Sequence, residues 1–229
     1  MPSGALPESG LIAPPSDLAT RLSSLPSLEE LAELSRRFET APASAVVTWA
    51  VERFGADLVL TSSFQDCVLI DVATSVAPDI EVVFLDTGFH FPETLSYVKE
   101  VAARYHLNLR VIGPEVADDV WPCGTDRCCE VRKVGPLNRV LEQRLAWMTG
   151  LRRAETDNRA DAAIVSLDLA RGAVKVNPLA TWSDLDVDGY TSDHDLLRHP
   201  LNAKGYLSIG CAPTTTRPTD PSDPRSGRS

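Results

Sequence analysis

Residues 57–88 read "DLVLTSSFQDCVLIDVATSVAPDIEVVFLDTG". "DLVLTS" is a short apolar strand, "DCVLIDVATSVA" has the apolar spacing of a helix, and "IEVVFLDTG" is a second strand. Apolar strands separated by a helix describe a crossover unit, and hence a parallel sheet covered on both faces. The pattern continues outward. Upstream, "SLEELAELSRRF" has a Ser cap, early glutamates and late arginines, as a helix with a complemented dipole would. "SAVVTWAVERFG" reads as a second helix ending at Gly55. Downstream, "PETLSYVKEVAARYH" is a helix opened by Pro92, and "LNLRVIGP" is a strand. "RKVGPLNRVLEQR" reads as helical despite its Pro. "LAWMTGLRR", "AAIVSLD" and "AVKVNPLA" read as strands, and "SDLDVDGYTSDHDL" as a capped short helix.

The chain has 229 residues and a formal net charge of −10, enough length to bury one ordinary core. The acidic balance opposes a nucleic-acid partner but leaves room for a local basic pocket that holds a small anion. No apolar run has the length of a membrane span. The N-terminus lacks the pattern of a signal peptide, so a cytoplasmic protein with reduced cysteines is expected. Residues 1–40 are assigned to a Pro/Ser/Gly-rich lead-in (to about residue 26) and a helix, 41–210 to the α/β domain, and 211–229 to a tail. By composition, everything after Gly210 reads as irregular and disordered chain.

Ligands of an open parallel sheet sit beyond the carboxyl ends of its strands. In "TSSFQDC", Ser62 and Ser63 offer hydroxyls, and the turn offers N–H groups at a helix start. Capping by Ser63 or Asp66 is the simpler alternative. In "LDTGFHF", Asp86 and Thr87 end a strand and Gly88 permits close approach, or the Asp simply bonds its own turn. Arg152, Arg153 and Arg159 follow a strand and could reach an oxyanion, or they belong to a solvated loop.

"DRCCEVRKVGPL", residues 126–137, places Cys128 beside Cys129, with Arg132 and Lys133 after them. Adjacent cysteines suit an iron cluster, where each thiolate takes its own iron, better than the usual zinc spacing. Two inert buried thiols are the alternative, and a zinc or redox-sensor protein is a third reading. Cys211 follows far along the chain, with Thr214 where a C-x-x-C would have its second thiol. Cys67 lies at a helix start and Cys123 near the pair.

Taken together, "CCEVRKVGPL", "LDTGFHF", "VNPLATWSDLDV", "GYLSIGCAP" and "DPRSGR" resemble the assimilatory adenylyl-sulfate reductases, the iron–sulfur branch of the phosphoadenylyl-sulfate reductase family. The motifs run in order from about residue 45 to residue 228. The resemblance implies a single parallel-sheet α/β domain of the adenine nucleotide hydrolase-like, PP-loop type. It implies thioredoxin-dependent reduction of adenylyl sulfate to sulfite and AMP, in sulfate assimilation and cysteine biosynthesis. It also implies a 4Fe–4S cluster on Cys128, Cys129 and Cys211. Substrate-binding residues by the same resemblance are Ser62, Ser63, Asp66, Asp86, Thr87, Gly88, Lys133, Arg159, Arg225 and Arg228. The cluster marks enzymes that use adenylyl sulfate rather than its 3′-phosphorylated form.

The sequence departs from the family twice. Thr214 stands where the fourth cluster cysteine is expected, and a hydroxyl is a poor ligand for iron beside thiolates. The Glu-Cys-Gly-Leu-His segment, whose Cys is the family nucleophile, would lie beyond Ser229 and is not among the 229 residues. No catalytic residue is therefore assigned. The expectation is binding with little turnover; the alternatives are a nucleotide-binding pseudoenzyme of the same family or a reductase that uses the 3′-phosphorylated nucleotide.

Overall fold

A computed structural model describes residues 23–114, 121–220 and 223–228. Most of the expected N-terminal lead-in lies outside them. So does Ser229, the residue beyond which the resemblance places the attacking cysteine, so the expectation of a nucleophile past Ser229 falls outside the described residues. Helix α1 (Leu28–Phe38) starts at a Ser27 capping box completed by Glu30, as its Ser and early glutamates require. Helix α2 (Ala43–Phe54) ends at Gly55. Then follow β1 (Leu58–Ser62), α3 (Val68–Val76), β2 (Glu81–Leu85), α4 (Pro92–Tyr105) and β3 (Asn108–Ile112). The second half holds α5 (Asp126–Cys129), α6 (Gly135–Leu141), β4 (Ala146–Thr149), β5 (Val165–Asp168), β6 (Ala173–Val176) and α7 (Asp184–Asp193).

The strands form one sheet in the order β3-β2-β1-β4-β6-β5. Every pairing is parallel except β5 with β6, which is antiparallel. The expected parallel sheet thus carries one reversed edge strand, because only a short turn joins β5 to β6 and no crossover fits there. Side chains alternate between two cores. Leu58, Leu60, Val82, Phe84, Ala146 and Met148 face the larger one, with helices α1 to α4. Val59, Val83 and Trp147 face a smaller one under Val140 and Leu141 of α6. That period of two is the strand's own geometry.

The chain runs outward from β1 through β2 to β3, then returns to start β4 on the other side of β1. The order therefore reverses between β1 and β4, and the loops after these strands diverge into a crevice.

The segment after Gly210 differs from its composition-based expectation: its described part is folded onto the carboxyl edge of the sheet. Just before that segment, Gln65 Oε1, in the loop after β1, accepts from Ile209 N at 3.0 Å and Ser208 Oγ at 3.3 Å. Residue 211 bridges His90 in the loop after β2, and Ala212 N donates to Phe89 O at 2.7 Å. Thr215 bridges Arg228, and Thr216 N donates to Gly227 O at 2.8 Å. The polar composition is satisfied by these partners, so no apolar periodicity is needed to order the segment.

Candidate functional site

A cavity of about 480 Å³ opens at the β1/β4 reversal. Its wall takes residues from the loop after β1 (Ser62, Ser63, Gln65, Asp66), from the loop after β2 (Thr87, His90), and from the chain after β4 (Gly150, Glu155, Arg159). Lys133, Lys175, Cys211, Arg225 and Arg228 also line it. Among the described lining residues, five cations meet two carboxylates. A basic concavity in a chain of net charge −10 is a local reversal of the overall field, which concentrates small anions.

Each cation arrives for a local reason. Lys133 lies in a π turn, Glu130–Val134, between α5 and α6. Pro136 has no N–H for the helical ladder, so the ladder widens there rather than continuing as regular α-helix. The turn sends Lys133 to the cavity and buries Arg132, 1% exposed. The Arg132 guanidinium donates to Thr87 O at 2.9 Å and lies 4.6 Å from the Phe89 ring centre. Arg225 and Arg228 both reach Ser208 Oγ, at 3.4 and 3.1 Å. Burial, and then the neighbouring Arg225 charge, push Arg228 below the ordinary guanidinium value; an anion between the two would relieve both effects. Arg159 is paired with Glu155. At Gly210 a Cβ would lie 2.5 Å from Arg228 Cζ, so only a glycine leaves the guanidinium its place.

The remaining sequence-predicted residues divide. Ser62, Ser63, Asp66 and Thr87 line the cavity. Ser62 Oγ also accepts from Phe64 N at 3.0 Å, and Asp66 Oδ1 from Val68 N at 3.0 Å, so capping and cavity lining coexist. Burial raises Asp66 above the ordinary carboxyl value. Asp86 and Gly88 do not line the cavity; Asp86 Oδ1 accepts from Gly88 N at 2.9 Å and closes the turn that presents Thr87. Of the three arginines expected to share a ligand, only Arg159 lines the cavity. Arg152 is buried on Asp184 at 2.7 Å, and Arg153 pairs with Glu39 at 2.7 Å, because each finds a carboxylate away from the crevice. Cys67 is buried and its thiol is pushed up by desolvation, which makes it a core thiol rather than a reactive one.

Sequence reasoning missed His90, Trp147 and Lys175. His90 Nε2 lies 3.1 Å from Leu85 O, which places the proton there and leaves Nδ1 an acceptor. That Nδ1 and Trp147 Nε1 are buried with no partner among the described residues, and both residues line the cavity. A buried acceptor and donor left open on a cavity wall are positions a ligand can satisfy. Lys175 lies 5.0 Å from the Trp147 ring centre, and burial lowers its pKa. A lone Lys inside the apolar strand "AVKV" was the available signal.

The five cysteines are free thiols. Cys128 and Cys211 are buried, 4% exposed each, and Cys123 and Cys129 are half-buried. Cys211 Sγ is 3.3 Å from Thr87 Oγ1. The Cys123 side chain meets those of Thr214 and Cys211, and burial followed by the Cys211 charge pushes Cys123 up to about 11. Among the described residues, no three His, Cys, Asp or Glu side chains converge on one metal ion. No helix of the described residues is long and apolar enough to cross a membrane.

Residues 57–217 match the phosphoadenosine phosphosulfate reductase domain. An adenosine 5'-phosphosulfate reductase of Mycolicibacterium smegmatis is 42% identical over 212 residues, 87% of this chain and 90% of that protein. One from Streptomyces coelicolor is 42% identical over 211 residues, 88% and 89% of the two chains. A crystal structure of phosphoadenylyl-sulfate reductase from Candida auris has a TM-score of 0.74 at 26% identity, covering 84% of this chain and 98% of that one. FMN adenylyltransferase of Candida glabrata, at 15% identity and a TM-score of 0.62, covers 88% and 70% of the two chains and shares the fold alone. The chain belongs to the phosphoadenosine phosphosulfate reductase domain family, among its adenosine 5'-phosphosulfate reductases.

Proposed function

We propose that this chain binds adenylyl sulfate in the cavity at the β1/β4 reversal and serves its reduction to sulfite and AMP. The observation that carries the reading is the gathering of Lys133, Arg159, Arg225 and Arg228 on one cavity wall of an acidic protein. Guanidinium forks match phosphate and sulfate oxygens. As the bond between sulfur and the bridging oxygen breaks, negative charge grows on the AMP phosphate, and fixed cations at that end stabilise it. Ser62, Ser63 and Thr87 supply hydroxyl donors, and His90 Nδ1 and Trp147 Nε1 an open acceptor and donor.

In the reaction a thiolate forms a bond to the sulfate sulfur. The S–O bond to phosphate breaks, and AMP leaves with its electron pair. A dithiol, thioredoxin in this reading, then attacks the cysteine sulfur of the S-sulfocysteine. Sulfite is released, and the dithiol ends as a disulfide after giving two electrons. The family's attacking thiol comes from the Glu-Cys-Gly-Leu-His segment expected beyond Ser229, which these 229 residues do not contain.

The thiols present fit a 4Fe–4S cluster. They are free, Cys128 and Cys129 end helix α5 while Cys211 lines the cavity, and a cluster takes one thiolate per iron rather than several on one ion. Cys128, Cys129 and Cys211 would hold it, and when bound it would polarise the sulfate lying alongside.

Calorimetric titration tests the reading. Adenylyl sulfate binds at one site and displaces AMP, and its 3′-phosphorylated form binds more weakly. Absence of any adenylyl-sulfate binding to the folded protein, or a preference for the 3′-phosphorylated nucleotide, would overturn it.

A further inference from the structure

Cys123 is half-buried beside Cys211. It lies in a tight turn in which Thr125 N donates to Pro122 O at 3.4 Å. Gly124 in that turn has φ +95°, a conformation glycine adopts without strain. A Cβ at Gly124 would lie 2.7 Å from Thr214 Cγ2, so the turn lies directly against Thr214. The Cys123 side chain neighbours those of Thr214 and Cys211. From Thr125 onward the same loop becomes α5, with Thr125 Oγ1 accepting from Cys128 N at 3.2 Å. The turn and the Cys128-Cys129 pair are therefore held as one piece.

Position 214 is where the family places its fourth thiol, and a hydroxyl there is a hard ligand ill-matched to iron among thiolates. What a cluster requires is a thiolate at a point in space, not at a point in the sequence. We propose that Cys123 is the fourth thiolate of the iron–sulfur cluster, reaching from the opposite loop into the place that Thr214 cannot fill. The proposal rests on the cluster reading above and names the residue that completes it.

The test measures iron, inorganic sulfide and cluster loss to an iron chelator, on protein purified and reconstituted without oxygen. Four proteins are compared: the parent, Cys123→Ser, Thr214→Cys and the double variant. The parent carries about four irons per chain, as a complete cluster does. Cys123→Ser carries fewer, or loses them to chelator at least tenfold faster. The double variant regains the parent's content and lifetime, because a thiol at 214 replaces the one removed at 123. Thr214→Cys alone resembles the parent. Cys123→Ser with the parent's iron content and lifetime overturns the proposal and leaves the cluster reading standing. So does a loss that Thr214→Cys fails to restore, since a merely structural Cys123 would behave that way. A folded parent that takes up no iron overturns the cluster reading itself, and the proposal with it. Circular dichroism of each variant separates loss of iron from loss of fold.

Discussion

Gly210→Ala is a one-carbon perturbation that should weaken nucleotide binding without touching a charge. Its Cβ would lie 2.5 Å from Arg228 Cζ, and closer still to one of the terminal nitrogens. Ordinary contact begins near 3.4 Å, so the guanidinium must retreat by about 1 Å, enough to spoil a directional hydrogen bond. The displaced group is the far end of a flexible side chain, so the fold should barely change. Hydrogen bonds to charged groups are worth about 1.5–3 kcal/mol. The expected result is a Kd for adenylyl sulfate about 10- to 100-fold weaker, at tenfold per 1.4 kcal/mol. Calorimetry should give Arg228→Ala a loss of the same size. The double variant should lose little more than either single one, because both changes act on one interaction. A Gly210→Ala protein that binds as tightly as the parent, while Arg228→Ala does not, would refute the reasoning. So would full additivity.

Three further outcomes are expected. Gln65→Leu leaves Ile209 N–H without its acceptor and frees the edge of the cavity; unfolding in urea should show a loss of about 1–3 kcal/mol, with weaker binding. His199 is 1% exposed, and Leu201 N donates to its Nδ1 at 3.1 Å, so its proton sits on Nε2 toward Thr94 Oγ1. Burial lowers its pKa from 6.5 to about 4, so between these values the unfolded chain binds the extra proton. Stability should fall as pH drops from 6.5 toward 4, by about 3 kcal/mol, and His199→Gln should flatten that part of the profile. Finally, the polypeptide of residues 1–229 with adenylyl sulfate and thioredoxin should release no sulfite above a blank; sustained release would show that a thiol within it does the attack.

The alternation of strands and helices was plain in the sequence because buried parallel strands have apolar centres, and "DLVLTS", "EVVFL" and "LAWMT" do. The reversal between β1 and β4 was not, since strand order depends on contacts between distant segments. Arg159 could not be told from Arg152 and Arg153 because the carboxylates that claim the latter two, Asp184 and Glu39, are distant in sequence. The tail was misjudged by composition because its partners, His90 and Phe89, belong to a loop distant in sequence. Cys123 drew little notice for the same reason: only folding sets it against Thr214.

The most direct test of the binding site is a crystal structure of the anaerobically prepared protein with adenylyl sulfate. The phosphosulfate should lie within hydrogen-bonding distance of Arg225 and Arg228, with Arg159 and Lys133 at its flanks and the nucleoside in the crevice between β1 and β4. A nucleotide bound elsewhere, with Arg159 left on Glu155 and with Arg225 and Arg228 left on Ser208, would contradict the account.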